Sequence, residues 1–599
     1  MTDVLIVGAG PTGLWLALEL RTAGLEVVVI EKNVERDIRS RAAAMAAGSL
    51  ETFATRGIAQ RFIDAGVPIH SVHFGSSGTR LKMSRDSLGT KHPHSLMIPQ
   101  AVTEKLLTDL CEQKGVKFFF GYLAVGLHQS TNSVTLDAET KDGVKHNFKA
   151  LWLVGCDGTK SAIRELGGFG FHGSDGNISG WLADVLSTDP PSSPLSVNNE
   201  SGSFLMQPLG HKDYYRVTGV NIRTMKLPPS ATPTLQDVKS FAHEAVGKDF
   251  GIHSPLWFSR FSNTTRLVTN FRNGRVFVAG DAAHQFFPAG GQGITTGLQD
   301  AANLAWKLAA IVQGKFTGAN AEILLNSYNV ERRIALQAII KSTLAQTALY
   351  APEGAPQAAL ADTVYELIAH PDLNKLWVRR ITGFGDPFPT EGEEKDPLLG
   401  ARVTHLEIDG GFDALHAAMA VDTFLLVVKD REIDSLVRRY IGPWSPYIKY
   451  VGPSSSINTF GKLLQRITFP GYEVLSDHFN IAAAIVVPRD CRLLVTSGHV
   501  GLDKDGKLEE GLENQMDTAF ENVEKSIRAA APSLIEKEAW RTVYQITTYH
   551  KGGLDDSVIK AMFGIAEKRM GDHAPAWTAV GVEELAFGNF EITVCAAIP

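Results

Sequence analysis

Cysteine is scarce: the 599 residues hold four, Cys111, Cys156, Cys491 and Cys595, far apart and with no CxxC pair. That spacing supplies neither a zinc site nor a disulfide framework, so a reducing compartment is expected. Basic charge is not in excess either. The 58 Lys and Arg stand against 65 Asp and Glu, a net charge of −7, so the electrostatic footprint of a nucleic-acid binder is missing and small, non-polyanionic ligands are favoured. No apolar run approaches the roughly 20 residues that span a bilayer. Met1-Thr2-Asp3 leads straight into a strand pattern without a basic leader, and a cytoplasmic protein with no membrane span is the expectation. His70 with His73, and His92 with His94, have ligand-like spacings. Without acids beside them on an expected helix they read as surface histidines, and no metal site is expected. Composition is otherwise ordinary at 44% apolar and 21% charged, and the length calls for three or four domains.

What is present is organised around residues 274–313. Val276 to Ala279 suits a strand buried on both faces, and Gly280-Asp281 leaves a carboxylate at its carboxyl end. Beyond Pro288 and three glycines, Ile294, Leu298, Ala301, Ala305, Leu308 and Val312 recur at helical spacing, which starts a helix near Gly293. Its first amides then point back towards Asp281 and make an anion site. The alternative is a glycine-rich surface loop before an ordinary core helix. Two further junctions weigh against that alternative. Val4 to Val7 reads as a strand, Gly8-x-Gly10-x-x-Gly13 as a turn, Pro11 to about Ala23 as a helix, and Val27 to Ile30 as a second strand ending at Glu31. This is a βαβ dinucleotide fingerprint in which the glycines admit a pyrophosphate and Glu31 holds an adenosine ribose. Ala150 to Val154 is a third strand, ending in Gly155-Cys156-Asp157-Gly158 with Ser161 and Arg164 on the helix that follows. Three acid-and-glycine junctions fit one open α/β sheet with its ligand across the carboxyl ends of the strands. Arg39 and Arg41 sit in a loop that either reaches the phosphates or forms surface salt bridges. Gln100 opens a helix running to about Gln113.

Those three motifs, with Gly280-Asp281-Ala282-Ala283-His284 as the last, resemble the fingerprints of the single-component FAD-dependent aromatic hydroxylases over about residues 1–345. Leu256-Trp257-Phe258-Ser259-Arg260-Phe261, Arg266 and Arg272 resemble the phenol and aromatic-polyketide hydroxylase branch, and Tyr328, Glu331, Arg332 and Arg333 match the end of that domain. The resemblance implies that Glu31 binds ribose, that Arg41 and Gln100 contact the cofactor, and that Asp281 binds the ribityl chain. It implies too that the turn through Pro288, Gly291, Gly293, Ile294 and Thr295 cradles the isoalloxazine, and that Asp157 and Arg164 lie near the nicotinamide. The family usually carries asparagine where this chain has Thr295, which puts the side-chain polarity at the flavin edge in question.

Residues 171–270 alternate apolar and polar in short runs between Pro- and Ser-rich turns, which reads as an antiparallel sheet inserted into the FAD-binding domain. It would cover the reacting face of the flavin and form the substrate pocket. Trp181, Tyr215 and Phe287 are candidates for its wall, although the usual burial of aromatics favours plain core for each; no catalytic residue is assigned. Residues 346–395 read as a helical connector. Residues 396–452 resemble the thioredoxin-like tail of phenol hydroxylases, without CxxC and so without redox work. A linker follows at 453–470. Residues 471–599 resemble the reactive-intermediate deaminase (Rid) family, a chorismate-mutase-like α+β fold. There 12 Lys and Arg face 20 Asp and Glu, which argues against RNA cleavage. Active members of that family usually read Pro-Ala-Arg, the arginine holding a substrate carboxylate, where this chain has Pro575-Ala576-Trp577. Glu591 of the closing Glu-Ile pair is kept. A homo-oligomer through this domain is expected.

The fold expected is therefore α/β: a Rossmann-type FAD-binding domain (1–170 and 271–345), the inserted sheet, the thioredoxin-like segment and the Rid-like domain. The activity implied is hydroxylation of a phenolic or polyketide-like aromatic compound by O2, with NADPH or NADH as co-substrate, through a flavin C4a-hydroperoxide. A Baeyer–Villiger or dearomatising oxygenase, and a non-catalytic flavin-binding scaffold, are the alternatives.

Overall fold

The computed structural model describes residues 1–385 apart from 38, 76–79, 211–212, 229–230 and 351–353. It also describes residues 419, 424–427 and 448–451 and, near the carboxyl end, 492–496, 499–531, 539–570, 576–582, 585 and 588–598. The branched runs near the amino end form strands because they can be buried on both faces. Val4, Leu5, Ile6, Val29, Ile30, Leu153, Val154, Val276, Phe277 and Val278 are all inaccessible to solvent. Strands Val276–Val278, Lys145–Gly155, Thr2–Val7, Val27–Glu31 and Lys117–Phe120 lie side by side in that order and parallel. Tyr122–Gln129 and Val134–Thr140 extend the sheet antiparallel, as does Arg272–Asn273. The register pairs Val7 with Gly155 and Gly155 with Val278, so the three acid-and-glycine junctions leave adjacent strands at one level.

Helix Pro11–Thr22 is buried nearly all round, from Gly13 to Leu20. It has no polar stripe because it packs against both helix Gln100–Gln113 and helix Gly293–Val312. Its one buried acid, Glu19, is held by Arg56 at 2.7 Å, the pairing that burial of a charge requires.

Residues 179–262 form a five-stranded antiparallel sheet in the order Leu195–Asn199, Gly202–Pro208, Tyr214–Asn221, Ser179–Ser187, Ile252–Ser262. One face is covered by helix Leu235–Val246. Thr234 caps that helix in a reciprocal box with Asp237, and Gly247 ends it at φ +82°. Trp181, Ala183, Val185, Phe204, Met206 and Val217 pack on it around Phe241. The other face meets residues of the parallel-sheet unit.

Helix Gly318–Tyr350 runs through position 345, where the sequence places a boundary, and helices Ala355–Ala369 and Pro371–Ile381 follow. These helices cover the hairpin Ser71–His73 and Arg80–Lys82, and the histidine reading is corrected there. His70 is exposed, but His73, His92 and His94 are half-buried, and burial with Arg80 nearby pushes His73 down to about 4. Among the described residues no group of His, Cys, Asp and Glu could hold a metal ion. Of the thioredoxin-like segment, Met419 and the strand Phe424–Val427, paired parallel with Ile448–Val451, are described; the rest of it and the linker at 453–470 lie outside the described residues.

Residues 455–599 form a second compact unit. Its sheet runs Arg492–Val495, Phe590–Ile598, Val543–Lys551, Ala576–Val582. Helices Leu512–Ala530 and Asp556–Met570 pack Met516, Phe520, Val523, Ile527, Met562 and Ile565 against it.

Candidate active site

Each glycine of the first junction meets a different constraint. Gly8 has φ +109°, and a Cβ there would strike the Cys156 carbonyl oxygen at 2.3 Å. A Cβ at Gly13 would lie 2.1 Å from the Gly8 oxygen, so helix and strand touch at that point. At Gly10 nothing stands within 4 Å, which leaves space for a ligand over the helix start. That helix end has no side-chain cap and no acid in its first turn, so its dipole is unspent. Glu31 accepts from the amides of Ala9 at 2.9 Å and Asn33 at 3.0 Å, and its oxygens retain lone pairs for a ligand hydroxyl.

The last junction is braced from behind. Gly280, at φ +61°, donates its amide to Asp300 at 2.9 Å. Asp300 is fully buried between His284 at 2.7 Å and Arg332 at 2.6 Å. Burial opposes its ionisation, but Arg332, His284 and the Gly280 amide outweigh that and hold the carboxyl below the ordinary 3.8. Tyr328 donates to the Val278 carbonyl at 3.0 Å, tying the strand end to the same helix pair. Asp281 opens into the cleft. The protein around it pushes its carboxyl upward, with His284 and Arg41 opposing. Pro288 and Gly291 are exposed at the rim, and neither Gly291 nor Gly293 has anything within 4 Å of a Cβ position. Helix Gly293–Val312 begins without a side-chain cap or an acid. Ile294 is half-buried there. Thr295 is buried and turns towards helix Ala47–Ala54, where its hydroxyl accepts from Ser49 at 2.8 Å and, more weakly, from the Ala46 amide at 3.4 Å. A hydroxyl is too short to reach further, so it is spent on this neighbour.

The middle junction links the other two. Asp157 caps the following helix through Ser161 and the Ile163 amide, and Arg164, buried on Phe171, donates to the carbonyls of Ala282 and Thr159 at 3.1 Å. In the loop after Glu31, Arg39 forms a surface ion pair with Asp37 at 2.7 Å. The Arg41 side chain is exposed and makes no hydrogen bond among the described residues. Gln100 accepts from the Ala42 amide at 3.2 Å and donates to Glu104 at 2.8 Å, so it holds this loop to its own helix.

For two of the three aromatic pocket candidates the core reading holds. Trp181, 5.9 Å from Phe241, and Tyr215 belong to the core under helix Leu235–Val246, because strand alternation turns them from the parallel-sheet unit. Phe287, in the turn before Pro288, is buried with Val220 and Ala289 and lies 5.7 Å from Phe261. The sequence reading passed over the pair Asp184 and Arg216, both buried, 2.7 Å apart. Arg216 also donates to the carbonyls of Arg41, at 2.9 Å, and Ser40. A charge in phase with the alternation on each of two adjacent strands was the available signal.

Residues 1–343 match the family model described as FAD binding domain, and residues 485–598 the one described as Endoribonuclease L-PSP. The chain is 37% identical over 424 residues to rifampicin monooxygenase of Streptomyces venezuelae, spanning 69% of this chain and 86% of that protein. It is 35% identical over 419 residues to 12-dehydrotetracycline 5-monooxygenase/anhydrotetracycline 6-monooxygenase of Streptomyces rimosus, spanning 68% and 80%. The solved structure of OxyS anhydrotetracycline hydroxylase from Streptomyces rimosus aligns with a TM-score of 0.66 at 32% identity, covering 77% of this chain and 91% of that one. The chain belongs to the FAD binding domain family and is a FAD-dependent monooxygenase of the aromatic-hydroxylase type, carrying a Rid-type domain at its carboxyl end. The cleft fits FAD: open space at Gly10, Gly291 and Gly293 adjoins two uncapped helix starts.

Proposed function

We propose that this monooxygenase hydroxylates a phenolic or polyketide-like aromatic compound, consuming NAD(P)H and O2. The observation that carries the reading is the alignment of Val7, Gly155 and Val278 at one level, with a separate antiparallel sheet facing the cleft those strand ends open into. Rifampicin and tetracycline monooxygenases among the relatives support the substrate class. FAD, when bound, supplies the redox chemistry, accepting hydride from the nicotinamide and activating O2 at its C4a position.

The chain's own residues bind, orient and exclude water. Amides of Gly10, Thr12 and Gly13 and the helix behind them would take the pyrophosphate, with Arg41 free to neutralise it. Glu31 would hold the adenosine ribose and Asp281 the ribityl chain. The amides at Gly293 and Ile294, aimed by an unspent helix dipole, would stabilise negative charge at the pyrimidine edge of the reduced ring. Packing of Phe287 against Phe261 and Val220 seals one side of the cleft against water.

The test is direct. Purified protein should carry non-covalent FAD, and phenolic and polycyclic aromatic compounds should stimulate its NAD(P)H oxidation and gain one oxygen atom. Product structure by NMR separates ring hydroxylation from Baeyer–Villiger insertion or dearomatisation. FAD-loaded protein that oxidises NAD(P)H no faster with any such compound would falsify the proposal.

A further inference from the structure

Helix Gly318–Tyr350, 33 residues long, turns Leu325, Tyr328, Arg332, Leu336 and Gln346 into the protein. If only water met its outer face, that face should be polar. Helix Leu512–Ala530 shows the ordinary pattern, exposing Glu513, Asn514, Glu521, Lys525 and Arg528. Helix Gly318–Tyr350 instead exposes Ile323 at 68%, Val330 at 49%, Ile334 at 44% and Leu344 at 46%, together with Ala338, Ala345 and Ala348. From Ala321 to Tyr350 the only exposed charged residues are Glu322 and Lys341. Glu331 and Arg333, on the flanks, are held inward by Lys307 and by the Thr269 carbonyl.

These apolar residues are ordered. Ile323, Val330, Gln337 and Leu344 recur every seven residues, and Ser327, Ile334, Lys341 and Ala348 do the same four residues further on. Steps of four and three make a 3.5-residue period, the seam that a helix presents to another helix. Single surface apolars have no such order. No described element covers this seam.

The seam is complementary to itself. Laid antiparallel on a copy about a two-fold axis level with position 332, it sets Ile334 against Val330 of the second copy and Val330 against Ile334. Gln337 then meets Ser327, amide to hydroxyl. Lys341 lies over Ile323 with its ammonium beside Glu322, a carboxylate that is 60% exposed. Each match occurs twice, as an isologous contact requires, and the opposite charges fix the register. A parallel pairing would stack Lys341 on Lys341. From Ile323 to Ala348 the stripe is about 38 Å long and, at one helix width of about 10–12 Å, covers about 400 Å² a copy. That footprint suits a weak, concentration-dependent pair.

We propose that this stripe docks a second copy of the chain, antiparallel and in that register, with Val330 and Ile334 at the centre and Lys341 on Glu322 at each end. The pairing does not rest on the hydroxylase reading.

The test is sedimentation of the full-length, FAD-loaded protein from micromolar to hundreds of micromolar concentration. Any assembly through the carboxy-terminal unit is common to all variants, so differences between them report on the helix. Wild type should gain mass as concentration rises. Combining Val330→Glu with Ile334→Glu brings four carboxylates together at the centre and should raise the dissociation constant more than about 100-fold. Both positions are exposed, so the separate copies should keep their fold, which thermal unfolding and FAD content check. Lys341→Glu should weaken association about 3- to 10-fold, and adding Glu322→Lys, which reverses the pair, should restore it. A double-glutamate variant that associates like wild type overturns the interface. So does a wild type of one mass at every concentration, which leaves the stripe to a different protein. A Lys341→Glu variant that associates normally, or whose loss Glu322→Lys fails to repair, overturns the antiparallel register.

Discussion

Asp300 touches no ligand, yet the Gly280 turn depends on it, because its carboxylate holds the Gly280 amide, His284 and Arg332 at once. Asp300→Asn strips Arg332 of its counter-charge inside the core, a loss of about 3–5 kcal/mol that thermal unfolding would register. The pH dependence follows from the same contacts. The folded carboxyl lies below the ordinary 3.8, so its contribution is complete above that value and is lost as pH falls through the lower folded one. Wild type should lose this share of stability on acidification, and the asparagine variant should have none to lose. Asp281 is exposed in the cleft, so the fold itself depends little on its charge. Asp281→Asn should leave the unfolding temperature of FAD-free protein near the wild-type value while lowering FAD affinity about 10- to 100-fold, as expected for a lost charged hydrogen bond. A variant with wild-type FAD affinity would rule out the ribityl contact.

At the scale of elements, the first strand, turn and helix invite a paired comparison. Gly13→Ala would drive a methyl into the Gly8 carbonyl and separate helix Pro11–Thr22 from the sheet, costing about 1–3 kcal/mol of stability with or without FAD. Gly10→Ala meets no protein atom, so the FAD-free chain should unfold at the wild-type temperature. The added methyl instead fills the space left for the pyrophosphate, and FAD content should drop. Equal behaviour of the two variants in calorimetry and flavin absorbance would mean that Gly10 does not border the cofactor. The three junctions themselves were legible in sequence because a buried strand, a glycine turn and a helix start are local patterns. Trp181 and Tyr215 stayed open between pocket wall and core for the converse reason: alternation shows that a strand has two faces but not which one a later helix will cover.

For the whole molecule, the carboxy-terminal unit is where family likeness and side-chain chemistry diverge. Trp577 turns into the helix-covered core, donating to Thr548 at 3.1 Å between Phe520 and Phe563, at 5.9 and 5.8 Å. Glu591 alternates with the buried Phe590 and Ile592 and so stands on the opposite face. An indole in that setting offers no charged fork to a carboxylate. The full-length protein should therefore not hydrolyse amino-acid-derived imines, measured as ammonia release beside an active Rid protein; turnover at a comparable rate would refute this. We expect the unit to serve assembly instead. Light scattering of the full chain and of one ending at Ser454 should show a smaller species for the shorter chain, and equal masses would exclude that role.

Local chemistry in the sequence determined the βαβ start, the three junctions on a parallel sheet and the inserted antiparallel strands. Each follows from residues within about a dozen positions of one another, where spacing and backbone preference suffice. Tertiary structure alone decided which residues meet across long separations. It set Ser49 against Thr295, Arg216 on the Arg41 loop and Asp300 behind Gly280. Such contacts depend on strand register and on which face each layer covers, and both are settled only when the layers pack.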